Sequence, residues 1–194
     1  MLTKSLNLTD PSFSPIWAQR RSALWKIFAV VIGILCLILS SYIEVPMIPV
    51  PMTMQTYAVL VIGALFGWRL GAATVLAWLA LAALSLPVLS GGNGGLQAFA
   101  GPTAGYLFAF VLAAALTGWL AQQGWNAKRP VLAFSAMLLA HAVCLLFGAL
   151  WLATKIGLEP AITGGVTPFL IGAIVKSALA VATLKALDWA ITNK

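Results

Sequence analysis

The chain is poor in charge. Of its 194 residues 8% are charged and 62% hydrophobic, and the mean hydropathy is +1.02. A soluble domain carries about 25% charged residues, so this scarcity excludes a soluble globular protein and points to an integral membrane protein. Acids are scarcer still, being limited to Asp10, Glu44, Glu159 and Asp188. One histidine, His141, and two cysteines in apolar runs, Cys36 and Cys144, support neither a disulfide framework nor a metal site. The same lone histidine leaves Ser85, Ser90, Ser135 and Ser177 without a base and carboxylate, which makes an intramembrane hydrolase a remote alternative. No Gly-Lys-Ser/Thr follows a glycine run, so no nucleotide phosphate loop is present and the chain is not an ATPase.

What the chain has in quantity is long apolar runs. Stretches such as 27–39 and 131–146 are unbroken, whereas a transmembrane β-barrel alternates in segments of about ten residues. Six apolar segments fall at roughly 23–42, 53–67, 70–89, 103–121, 130–153 and 166–191. The fold class is therefore an all-α integral membrane protein, a six-helix transmembrane bundle over residues 23–194 preceded by a tail at 1–22. The first 20 residues are polar, contain Pro11 and Pro15, and do not read as a cleavable signal peptide.

A net charge of +7 resembles a nucleic-acid signal, but its placement does not. Arg20, Arg21 and Lys26, then Arg69, then Lys128 and Arg129, then Lys185 and Lys194 mark alternate connections and both tails. The connections between them hold Glu44, then no charge through 91–101, then Lys155 balanced by Glu159. Under the positive-inside rule this puts both termini in the cytoplasm of a multi-pass protein of the cell's inner or plasma membrane. The three outside connections are the Pro-rich, Gly-rich and Thr/Gly-rich ones, so a recognition site is expected to open outward. Small residues at helical spacing (Ala29 and Gly33; Ala73, Ala77 and Ala80; Ala109 and Ala113; Ala178 and Ala182) read as close packing within the bundle. Ala29 and Gly33 are the pair expected to meet a membrane partner.

Against this background Lys176 stands out. It lies inside the run 166–191, roughly ten residues from a membrane surface, where a charge costs about 2.5–3.5 kcal/mol and normally faces a site. The stretch Val45-Pro46-Met47-Ile48-Pro49-Val50-Pro51 should be irregular and fold into the outer half of the bundle as a pocket wall. From Leu86 to Leu107 six glycines allow the backbone close to a ligand. Asn93 and Gln97 there offer neutral amides suited to an uncharged urea or amide, and Thr103 follows Pro102 at a helix start that favours a carboxylate or carbonyl. A plain glycine loop ending in a helix cap accounts for the same residues equally well. His141 reads as a hydrogen-bonded packing histidine, since no carboxylate lies at its depth.

Three motifs carry a specific resemblance. Pro49-Val50-Pro51-Met52-Thr53-Met54-Gln55-Thr56, Gly101-Pro102-Thr103-Ala104-Gly105-Tyr106-Leu107, and Pro168-Phe169 followed by Gly172 and Lys176 resemble, in order and over about residues 43–180, the BioY family. Its members are the biotin-specific S components of energy-coupling factor transporters. The resemblance implies a six-helix S-component fold, biotin as ligand with no cofactor, and a membrane coupling protein and ATPase subunits as partners. A homo-oligomer is left open. It implies a binding site drawn from Gln55, Asn93 and Gln97 for the ureido group, Lys176 for the ureido oxygen or the carboxylate, and Thr53, Tyr106 and Glu44 as further contacts. Tyr42, Tyr57, Phe99 and Tyr106 are candidate walls for the fused rings. The family pattern also carries an acid three positions before the lysine; this chain has Ala173. Uptake of another small vitamin or carboxylate is the alternative that Lys176 and the glycine loop by themselves permit.

Overall fold

The computed structural model describes residues 22–193. Of the tail at 1–22, only Ser22 lies within them, where its hydroxyl accepts from the Trp25 amide and caps the first helix. Among the described residues there are six α-helices: α1 (Ala23–Tyr42), α2 (Gln55–Ala83), α3 (Ala104–Gln122), α4 (Pro130–Ile156), α5 (Leu158–Gly165) and α6 (Phe169–Thr192). A two-stranded antiparallel ribbon, β1 (Glu44–Val45) and β2 (Met52–Thr53), pairs Glu44 with Thr53 and joins α1 to α2. Five helices are long and apolar enough to cross a membrane; α5, with 8 residues, is not.

The helices do not map one to one onto the apolar segments. Segments two and three are the two arms of α2, which breaks at Gly67, where φ is 78° and ψ 167°. Glycine alone adopts such angles without strain. The break is a reversal: a Cβ placed on Gly71 would sit 2.9 Å from the Gly63 Cα, whereas eight residues of continuous helix span about 12 Å. The arms 55–66 and 68–83 therefore lie side by side, and six apolar stretches traverse the bundle. The second arm stops at Ala83, six residues before the expected end, because Ser85 takes a positive φ of 67° and Pro87 cannot continue a helix. The first arm rises only about 18 Å of the roughly 30 Å hydrocarbon thickness. The Pro-rich ribbon folds in above it, with Val50 and Thr53 buried.

The two arms of α2 and helix α3 form the centre. Val59, Leu60, Val75, Trp78, Ala109 and Ala113 are all inaccessible, which fits the close approach that small residues give helices without a hydrophobic drive from lipid. Large apolar side chains on α1, α4 and α6 point outward, among them Phe28, Leu139 and Ile171. Such a surface is stable against acyl chains and not against water.

The small-residue reading is corrected in one respect. Ala29 and Gly33 are buried inside the chain, and a Cβ on Gly33 would lie 2.8 Å from the Thr74 Cγ2 and 3.1 Å from the Phe66 ring. They pack α1 onto α2 and offer no face to a partner. Ala73, Ala80, Ala178 and Ala182 are the ones exposed.

Candidate functional site

Three connections meet at one end of the bundle: the ribbon at 43–54, the glycine-rich stretch at 84–103 and the α5 region. The Tyr42 hydroxyl donates to the Pro87 carbonyl at 2.5 Å, and the Ser90 hydroxyl donates to the Glu44 carboxylate. Trp151 Nε1 donates to the Gly101 carbonyl at 2.9 Å, and the Tyr106 hydroxyl to the Gly165 carbonyl at 2.7 Å. Each of these bonds ties a loop to a helix or to another loop. Backbone without regular structure is thereby satisfied by protein, as it must be at membrane depth.

Beneath them, Lys176 projects from α6 and is 8% exposed. Its ammonium donates to the Thr53 carbonyl at 2.7 Å, so the end of the ribbon is held by the charge that the sequence singles out. An ammonium has three N–H groups, and this bond uses one. Ala173, one helical turn away on the same face, is a bare methyl where an acid would offset that charge. Thr53 and Gln55 form a compact network next to it. The Thr53 hydroxyl donates to Gln55 Oε1 at 3.1 Å, and Gln55 Nε2 donates to the buried Ser41 hydroxyl at 3.0 Å.

Two adjoining cavities open here. An inner one of about 50 Å³ is lined by Thr53, Thr56, Tyr106, Phe110, His141, Cys144, Phe169, Ala173 and Lys176, among others. An outer one of about 230 Å³ is lined by Gln55, Ser90, Asn93, Gln97 and the glycine-rich backbone. Pro51, Thr103 and Leu107 border both. The inner cavity mixes one cation, hydroxyls and aromatic rings, and the outer one neutral amides. Together they suit a ligand with a compact polar head and an extended tail.

Six of the seven sequence-predicted residues line these cavities: Thr53, Tyr106 and Lys176 the inner, Gln55, Asn93 and Gln97 the outer. Glu44 borders neither and instead holds Ser90, a wall of the outer cavity. The Asn93 amide also braces this loop, donating to the Ser90 carbonyl at 2.7 Å. The aromatic walls differ from expectation. Tyr42 and Phe99 line neither cavity. Tyr57 turns away, bonds Thr183 at 2.8 Å and borders a separate apolar groove of about 550 Å³.

The walls are Tyr106, Phe110 and Phe169, with the Tyr106 and Phe169 rings stacked at 6.3 Å. Gly148 lets Tyr106 sit there, because any Cβ at that position would collide with its ring. Neither phenylalanine carries a signal in the sequence beyond apolarity, though Phe169 stands inside the third motif. His141 is hydrogen-bonded and buried, as expected, and in addition borders the inner cavity.

Comparison with known proteins bears on this geometry. Residues 12–193 match the model of the BioY family. The biotin transporter BioY of Rhizobium etli is 37% identical over 171 residues, covering 84% of this chain and 90% of that protein. The protein of the same name from Rhodobacter capsulatus is 36% identical over 166 residues, covering 75% and 84%. A solved structure of the S-component for biotin from an ECF-type ABC transporter superposes with a TM-score of 0.70 at 27% identity. It covers 86% of this chain and 94% of that one. The fold is thus that of a multi-pass S component, and the chain belongs to the BioY family.

Proposed function

We propose that this chain is the substrate-binding subunit that captures biotin for uptake, energised by separate partner subunits. One observation carries the reading beyond family membership. A buried lysine with N–H groups to spare lines a small cavity with aromatic walls, adjoining a larger one whose wall includes neutral amides. Biotin has a compact ring head with a ureido group and a flexible valerate ending in a carboxylate. A cavity of about 50 Å³ admits a few ligand atoms, and its aromatic walls beside the ammonium suit the ring head, so we assign the ureido edge to this inner cavity. The valerate then extends among Asn93 and Gln97 in the outer one.

The connections that roof the outer cavity are those without excess positive charge, so the positive-inside rule supports an opening to the exterior and cytoplasmic termini. The sequence contains no nucleotide phosphate loop, so ATP-driven uptake would draw on separate ATPase subunits. Membrane vesicles containing the full chain should retain labelled biotin. Excess biotin should displace the label, and other carboxylate vitamins such as pantothenate should not. Displacement by pantothenate, or no retention at all by correctly inserted protein, would overturn the reading.

A further inference from the structure

We infer that His141 is a ligand-binding residue whose Nε2 accepts a hydrogen bond from a ureido N–H, while Lys176 donates to the ureido oxygen. The inference rests on the reading of the chain as a biotin-capturing subunit and deepens it. His141 is 5% exposed, borders the inner cavity with Lys176, and its Nε2 is buried with no hydrogen-bond partner among the described residues. Leaving a buried polar atom unpaired is costly, so such an atom calls for a partner, whether a bound ligand or an ordered water.

The other ring nitrogen fixes the chemistry. Nδ1 lies 3.0 Å from the Met137 carbonyl oxygen and 3.1 Å from the Ser177 hydroxyl. A carbonyl oxygen only accepts, so Nδ1 carries the proton and is shared between these two oxygens. In the neutral ring Nε2 is then a lone-pair acceptor. Helices α4 and α6 thus bring two polar side chains to the lining of one small cavity, the imidazole from one and the ammonium from the other.

A cyclic urea presents the matching set, a carbonyl oxygen flanked by N–H groups. Lys176 alone would satisfy the oxygen and leave the N–H groups buried without acceptors. The residue one turn before the lysine offers nothing, because Ala173 is a methyl. Among the described residues that line the inner cavity no carboxylate is present, and the histidine nitrogen takes the acceptor's place.

The chain contains one histidine, so ¹⁵N-histidine labelling reports this ring alone. In the full chain in nanodiscs, the free protein should show one protonated nitrogen and one bare one, and biotin should shift the bare signal upfield. A biotin derivative methylated on both ureido nitrogens loses both donors and adds bulk, so it should bind at least about ten-fold more weakly and leave that signal in place. His141→Phe, which keeps the ring's bulk, should weaken biotin about ten-fold and leave the affinity for the methylated derivative unchanged. A protonated Nε2 in the free protein, a signal unmoved by saturating biotin, or an equal loss for both ligands would overturn the assignment. Wild-type protein that binds no biotin would instead overturn the functional reading on which it stands.

Discussion

Lys176 is an ammonium at membrane depth whose hydrogen-bond partner among the described residues is a backbone carbonyl, that of Thr53. Such a carbonyl orients the charge but neutralises little of it, so the ligand has to complete the site. This makes Ala173 informative. Ala173→Asp would place a carboxylate one turn from the ammonium, inside the inner cavity. If Lys176 meets the ureido oxygen, the new acid adds an acceptor for an N–H and offsets the lysine's charge. Biotin should then bind up to about ten-fold more tightly, in line with about 1–1.5 kcal/mol for a further hydrogen bond. If Lys176 meets the valerate carboxylate, the acid repels the ligand and binding weakens. Isothermal titration of the purified variant distinguishes the two, and the account predicts tightening. Lys176 was legible in the sequence because a charge in an apolar run is rare and expensive. Phe110 was not, because an apolar residue in a membrane helix looks the same whether it faces lipid, a neighbour or a ligand.

At the scale of elements, α2 shows what periodicity conveys in a membrane and what it does not. The two apolar segments were legible from their lengths and from Trp68 and Arg69 between them. Their fusion into one chain-reversing element was not, since it depends on the φ of a single glycine. Which faces are buried was equally hidden: with lipid outside and protein inside, the helices are apolar all round and amphipathicity carries no direction. That is why Ala29 and Gly33 read as a partner surface and prove to be internal packing. Gly67 gives the clearest element-scale prediction. Its φ of 78° with ψ of 167° is a region where a Cβ is strained by about 1–3 kcal/mol. Gly67→Ala should lower the thermal unfolding midpoint of the detergent-solubilised protein. Gly157→Ala, at a φ of 92° beside a helix junction where an added Cβ would make only ordinary contact with Pro160 Cδ at 3.9 Å, should be less damaging because α5 is peripheral to the core. Equal midpoints for wild type and Gly67→Ala would show that the reversal does not depend on that glycine.

For the whole molecule, the cavities matter only if their roof faces the exterior. The proposed orientation comes from charge placement at the connections, and it can be tested at two exposed positions on opposite ends. In a background lacking Cys36 and Cys144, Leu96→Cys should react with a membrane-impermeant thiol reagent on intact cells, and Lys128→Cys only after permeabilisation. Both residues are exposed, so reactivity reports side and not burial. The reverse pattern would place the cavities on the cytoplasmic side and exclude capture from outside.

The site stands or falls with biotin binding at the buried lysine that lines the inner cavity. Titration of the purified full chain and of Lys176→Ala with biotin tests it most directly. Wild-type protein should bind saturably and the variant should lose about 1.5–3 kcal/mol, the worth of a charge-assisted hydrogen bond. The variant should keep its fold, since Ala173, Ser177 and Ala180 continue to pack α6 against the bundle. Unchanged affinity in a folded Lys176→Ala protein would show that biotin does not bind at this lysine.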